Sequence, residues 1–153
     1  MRLEGYDYSH GGMYFITICV KDRHNVLGDA VGDAALGVPS VVLTEAGKVV
    51  KRHIENINQQ DGINVIEYVV MPNHIHLLVF IDNGTPKAAS PTTATVPKII
   101  NALKGLTSKK FGEPMWQRGY YDHIVRDDDE YVRICKYIRE NPTNWAEDEY
   151  NEL

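Results

Sequence analysis

The chain has 153 residues, the length of one domain, and 43% of them are apolar, enough for a packed core. No apolar run reaches membrane-spanning length and the opening MRLEGYDYSH lacks a signal-peptide apolar region, so a cytoplasmic protein with no membrane partner is expected. The net charge of −5 speaks weakly against a nucleic-acid partner, and two cysteines in apolar surroundings without CxxC spacing point to a reduced, buried pair rather than to a disulfide scaffold or a metal site.

MYFITICV, residues 13–20, is β-branched and aromatic and predicts a buried strand. Residues 21–40 are rich in Gly, Asp and Ala. Their glycine spacing fits neither a P-loop nor a dinucleotide fingerprint, so a loop or irregular hairpin is expected. Thr44 then caps a helix with Val49, Val50, Ile54 and Ile57 on its apolar side. INVIEYVVM and HIHLLVFID follow as two strands joined at Pro72-Asn73, which is turn chemistry. Residues 84–97 read as a loop. VPKIINALKGLTSKKF predicts a helix with Ile99, Ile100, Leu103 and Leu106 inward. A fourth strand is expected around His123–Val125. The last helix opens on Asp127, with Glu130 at capping-box spacing. It carries Tyr131, Ile134, Cys135 and Ile138 as its stripe, and Asn141-Pro142 ends it.

The order is strand, helix, strand, strand, helix, strand, helix. The first six match the βαββαβ pattern, so the expected class is α+β: one domain over residues 1–153, an antiparallel sheet with helices on one face, plus a C-terminal helix.

His74 and His76 stand two residues apart in an apolar strand. Residues i and i+2 of a strand share a face, so the two rings project together. That suits two imidazole nitrogens meeting one cation. Two half-buried histidines bonded to backbone or water are an equally simple reading. The residues after His76 are Leu77, Leu78, Val79, Phe80 and Ile81, which supply none of the further ligands of the HxHxDH, cupin or histidine-triad patterns. Other ligands must come from elsewhere.

Tyr137 and Asn141 lie four apart, on one helix face at the edge of the apolar stripe. Each alone reads as a core-edge residue or a helix stop. Combined with the histidines, the amide oxygen of Asn141 completes a three-ligand set with positions open to phosphate oxygens, and the Tyr137 phenol falls beside it. A phenol titrates near pH ~10 and is a weak nucleophile without help. A cation that polarises a phosphodiester supplies that help.

MPNHIHLLV, WQRGYYDHIVR and YIRENP together resemble the HUH single-tyrosine transposases, nearest to their REP-associated tyrosine transposase branch. The resemblance runs from MYFITICV to NPTNW. It implies a ferredoxin-like (RRM-like) fold and a divalent metal, Mg or Mn, held by His74, His76 and Asn141. It also implies that Tyr137 attacks single-stranded or hairpin DNA, forming a 5′-phosphotyrosine link and freeing a 3′-OH for strand transfer. Members act as monomers or homodimers. Tyr131 is the second choice of nucleophile.

Lys98 to Arg118 hold five bases and one acid. Lys98, Lys104, Lys109, Lys110, Arg118 and Arg126 are the expected DNA contacts, with an ordinary solvated face as the alternative. Trp116, Tyr120 and Tyr121 can stack on unpaired bases or join the core, and the core is preferred. Two further functional readings stay open: a non-catalytic single-stranded nucleic-acid-binding module, including a domesticated inactive transposase, and a small-molecule metallohydrolase.

Overall fold

A computed structural model describes residues 11–32, 40–82 and 95–148. In chain order the elements are β1 (Gly11–Cys19), β2 (Gly28–Val31), β3 (Ser40–Leu43), α1 (Glu45–Ile57), β4 (Ile63–Val70), β5 (His74–Asp82), α2 (Val96–Phe111), β6 (Tyr121–Ile124) and α3 (Asp128–Glu140). Single 3-10 turns lie at Lys21–Arg23 and Trp145–Glu147. The main sheet has the order β4-β5-β1-β6, every pair antiparallel. With α1 and α2 as the connections, this is the ferredoxin-like arrangement. β2 and β3 pair separately as a two-stranded hairpin, the irregular hairpin expected after β1. Most of the loop predicted over residues 84–97 lies outside the described residues, but its last residues already belong to α2, with Pro97 in the first turn, where a missing N–H costs nothing.

The sheet separates two apolar layers. On one face Ile16 and Ile18 of β1 and Ile75, Leu77, Val79 and Ile81 of β5 pack against Val50 and Ile54 of α1 and Ile100 and Leu103 of α2. On the other face Met13 and Leu78 pack against Val125, Cys135 and Ile138, beneath α3. The period-2 alternation of β5 therefore sends its odd positions to α1 and α2 and its even positions, including both histidines, to α3. A register shift between Val65 and Glu67 re-aims β4 in the same way. Ile63 and Val65 face the α1/α2 layer, whereas Ile66 and Val69 join the α3 layer.

Local chemistry fixes the helix ends. Thr44 Oγ1 accepts from the Gly47 N–H at 3.1 Å, and Asp127 Oδ1 accepts from the Glu130 N–H at 2.8 Å. The expected capping box is half used: the Glu130 carboxylate meets Nε2 of His123 on β6 rather than the cap's own N–H, tying the edge strand to the first turn of α3. On α2 the inward stripe is Ile99, Ile100, Leu103 and Thr107. Leu106, predicted inward, is 52% exposed. The reason is Trp116, which is buried in the core and donates Nε1–H to Thr107 Oγ1 at 2.8 Å, so a hydroxyl replaces an apolar group there.

Candidate active site

The turn between β4 and β5 is buried, unusually for a turn, because its carbonyls are satisfied by protein. Val20 N–H donates to Asn73 O and Leu27 N–H to Pro72 O. Asn73 is thereby fixed beside His74. Its Nδ2 donates to the Arg23 carbonyl at 3.3 Å, which orients the amide and leaves Oδ1 facing Nδ1 of His74 at 2.8 Å. Oδ1 is an acceptor, so Nδ1 of His74 carries the proton and Nε2 carries the lone pair. His76 is held by Thr17, the residue opposite it across β1, with Oγ1 2.7 Å from Nδ1. Both rings are thus gripped at Nδ1, and Nε2 of each is shut away from solvent. Orientation of ligand imidazoles through the second nitrogen is the usual support of a metal site.

The two rings lie 4.7 Å apart, centroid to centroid, at 73°. Trp145, just beyond α3, stacks on His74 at 6.0 Å, and Phe15 stacks on His76 at 5.3 Å. Burial is the main reason that the His74 pKa is lowered to about 4; the Asn141 side chain opposes this and the Arg23 charge adds to it. Burial, then the neighbouring His74, also holds His76 well below the ordinary value. Both imidazoles are therefore neutral near pH 7, the form that binds a metal.

The C-terminal turn of α3 closes over this pair. Asn141 Nδ2 donates to the Tyr137 carbonyl at 3.2 Å, turning Oδ1 the other way. That oxygen is buried and accepts no hydrogen bond of good geometry among the described residues. An amide oxygen stranded in the interior costs stability unless something meets it. Among the described residues no three His, Cys, Asp or Glu side chains form a metal-holding group. The set here is two imidazoles and an amide, and those donors fit a divalent cation. The Tyr137 ring sits 5.2 Å from His76 at 63° and 6.1 Å from Phe15 edge-on, while 40% of the residue remains exposed. Its ring is thus beside the pair and partly open to solvent. Tyr131 instead packs against the apolar cluster around Cys135, where burial raises its pKa.

The six expected DNA contacts separate. Lys98, Lys109 and Lys110 are exposed on α2, in the layer across the sheet from the histidines. Lys104 is half-buried, and its Nζ donates to the carbonyls of Gln117 at 2.9 Å and Gly119 at 2.6 Å, so its charge secures a loop. Arg126 is exposed between β6 and α3. Arg118 lines a cleft of about 350 Å³ beside the pair, with Thr17, Cys19, Arg23, Tyr120 and Tyr121 among its walls. Tyr120 and Tyr121, expected in the core, are 38% and 55% exposed. β6 is a short edge strand that leaves Tyr121 exposed, whereas Trp116 reaches inward from the bridge it forms with Val20.

Sequence reasoning missed Thr17, Phe15, Asn73, Arg23 and Trp145. Asn73 has the one local signal, its place directly before His74. The others reach the site through strand register and chain return. Asp22 and Arg23 both adopt left-handed φ, 59° and 55°, which residues other than glycine enter at a cost.

Comparison with known proteins identifies the family. The family model described as IS200-like transposase matches residues 8–141. An uncharacterised Haemophilus influenzae protein is 33% identical, covering 97% of this chain and 90% of its own. The ISDra2 transposase TnpA of Deinococcus radiodurans is 30% identical, covering 88% of this chain and 87% of its own. A solved structure of a REP-associated tyrosine transposase bound to a REP hairpin superposes with a TM-score of 0.63 at 18% identity, over 92% of this chain and 72% of that one, which shows a shared fold.

Proposed function

The chain belongs to the IS200-like transposase family, with REP-associated tyrosine transposases among its relatives, and on that premise we propose that it nicks and rejoins single-stranded DNA through a covalent phosphotyrosine. The observation that carries the reading is that Tyr137, exposed and with its ring 5.2 Å from that of His76, and Asn141, with a buried Oδ1, stand one helical turn apart beside the histidine pair.

In this reading Nε2 of His74, Nε2 of His76 and Oδ1 of Asn141 hold Mg²⁺ or Mn²⁺. When bound, the cation supplies Lewis-acid polarisation of the scissile phosphodiester. The protein does the rest. Thr17 and Asn73 hold the imidazoles in the ligating orientation. Phe15 and His76 pack against the Tyr137 ring and hold it beside the histidine pair. The Tyr137 phenol releases its proton to solvent as its oxygen attacks phosphorus, a new O–P bond forms, the bond to the 3′ oxygen breaks, and that oxygen takes up a proton from solvent and leaves as a 3′-OH. Attack of a 3′-OH on the phosphotyrosine reverses the step and completes strand transfer. The substrate is a single strand flanked by a hairpin, with Arg126 as a phosphate contact and with Lys98, Lys109 and Lys110, which lie across the sheet from the histidines, left to the flanking hairpin.

The test is a denaturing gel with labelled hairpin-flanked single strands, run with Mn²⁺ or with chelator. A metal-dependent DNA band shifted by the mass of the protein, lost in Tyr137→Phe with DNA binding retained, is the expected result. An adduct that persists in Tyr137→Phe refutes the nucleophile. Retarded DNA on a native gel with no adduct from any hairpin tested favours a binding module.

A further inference from the structure

The cleft beside the histidine pair joins two kinds of wall, and its placement is not accidental to the site. Tyr121 stands opposite Thr17 across β1 and β6, and Thr17 stands opposite His76 across β1 and β5. Tyr121, Thr17 and His76 therefore form one row on one sheet face, with Tyr121 roughly 10 Å from His76 at two strand spacings. The Tyr121 ring also meets Phe15 edge-on at 6.3 Å, and Phe15 is the ring that stacks on His76. A continuous aromatic path thus runs from the surface to the candidate ligand.

The far wall is held firmly. Gln117 N–H donates to the Cys19 carbonyl at 2.8 Å, Val20 bridges Trp116, and the Lys104 ammonium clamps the carbonyls of Gln117 and Gly119. Gly119 takes a φ of 82°, which turns the chain so that Tyr120 and Tyr121 follow on the open side. Two cationic side chains line the cleft, Arg118 from this loop and Arg23 from the 3-10 turn. The left-handed backbone at Arg23 is secured by Asn73, the same residue that orients His74. One amide therefore fixes the cationic wall and the ligand together. Exposed tyrosines and two arginines lining one space, the size of a nucleotide rather than a duplex, are the components of a single-strand track.

The geometry points to this cleft as the track for the unpaired nucleotides next to the scissile phosphate, with Tyr121 as the base-stacking platform and Arg118 and Arg23 as the phosphate grips. It rests on the single-strand substrate of the proposed function. Stacking carries the base and is tolerant of sequence, while the arginines carry the salt-dependent part of binding.

The test measures fluorescence anisotropy of a short labelled single-stranded DNA of mixed sequence, with the full chain and no divalent cation. Tyr121→Leu is expected to weaken binding at least about tenfold and Tyr121→Phe to retain it, because the ring rather than the hydroxyl stacks. Arg118→Gln is expected to flatten the slope of log affinity against log salt by about 0.7, the loss of one phosphate contact. A Tyr121→Leu protein with native circular dichroism and undiminished binding overturns the proposal, as does an unchanged salt slope in Arg118→Gln. If Tyr121→Leu does not fold, the salt slope decides. The adduct assay is read separately. Tyr121-dependent binding without any adduct supports the track and refutes the phosphotyrosine reading, whereas adduct formation with binding indifferent to Tyr121 does the reverse.

Discussion

Lowering the pH should unfold this protein earlier than its carboxylates alone require, because His74 is buried in its neutral form. The ordinary imidazole titrates at 6.5, and burial takes His74 to about 4. Between those values the unfolded chain binds a proton that the native chain refuses. Stability therefore rises with pH across that interval and is lost as pH falls from 6.5 toward 4. For a single site with these values the loss is roughly 2 kcal/mol between pH 7 and pH 5, and roughly 3 kcal/mol by pH 4. His76 shifts in the same direction and adds to the effect. Urea unfolding followed by tryptophan fluorescence, without divalent metal, gives stability at each pH. Carboxylates titrate in both proteins, so subtracting the curve of His74→Gln cancels them. The wild-type curve should fall more steeply than the variant's by about 2 kcal/mol between pH 7 and pH 5. Parallel curves over that range would refute the claim that His74 is held neutral by burial.

Other outcomes follow from single contacts. Gly47→Ala should destabilise the protein by about 1–3 kcal/mol in the same unfolding assay, although alanine ordinarily favours a helix, because its Cβ would stand 2.0 Å from the Leu27 carbonyl oxygen. Asp127→Ala removes the acceptor for the Glu130 N–H and should cost about 1 kcal/mol, while Asp127→Asn should cost less. Trp116→Phe leaves the ring position filled but loses the bond to buried Thr107, at about 1–2 kcal/mol by urea unfolding. Mn²⁺ is expected to raise Tm, and Asn141→Ala to reduce that rise; an undiminished rise would remove Asn141 from the proposed ligand set.

The proposed chemistry also accounts for an acidic chain in a DNA-processing family. Net charge sets the long-range field, not the local one. Beside the candidate site Arg23 and Arg118 line the cleft, whereas the lysine-bearing face of α2 lies across the sheet. The Lys98–Arg118 cluster that looks like one basic patch in sequence is divided in space among an exposed helix face, a loop anchor at Lys104 and the cleft wall at Arg118.

Periodicity and caps decided most of the secondary structure before any packing. Thr44, Asp127 and Pro142 mark ends because their chemistry acts within four residues, and the period of β5 already puts His74 and His76 on one side. The spacing of Tyr137 and Asn141 puts them on one helix face for the same reason. None of this says which face of the sheet meets which helix. Thr17 reaches His76 from 59 residues away, and Asn73 meets the Arg23 carbonyl across 50. Leu106 and Thr107 exchange places because Trp116 arrives needing an acceptor, and Tyr120 and Tyr121 stay outside because β6 is an edge. Local sequence determined the donors, their spacing and the helix that carries the phenol. Tertiary structure alone decided that they meet, because strand register and the return of α3 over the sheet arise from burying two apolar layers at once, a condition no short stretch of chain contains.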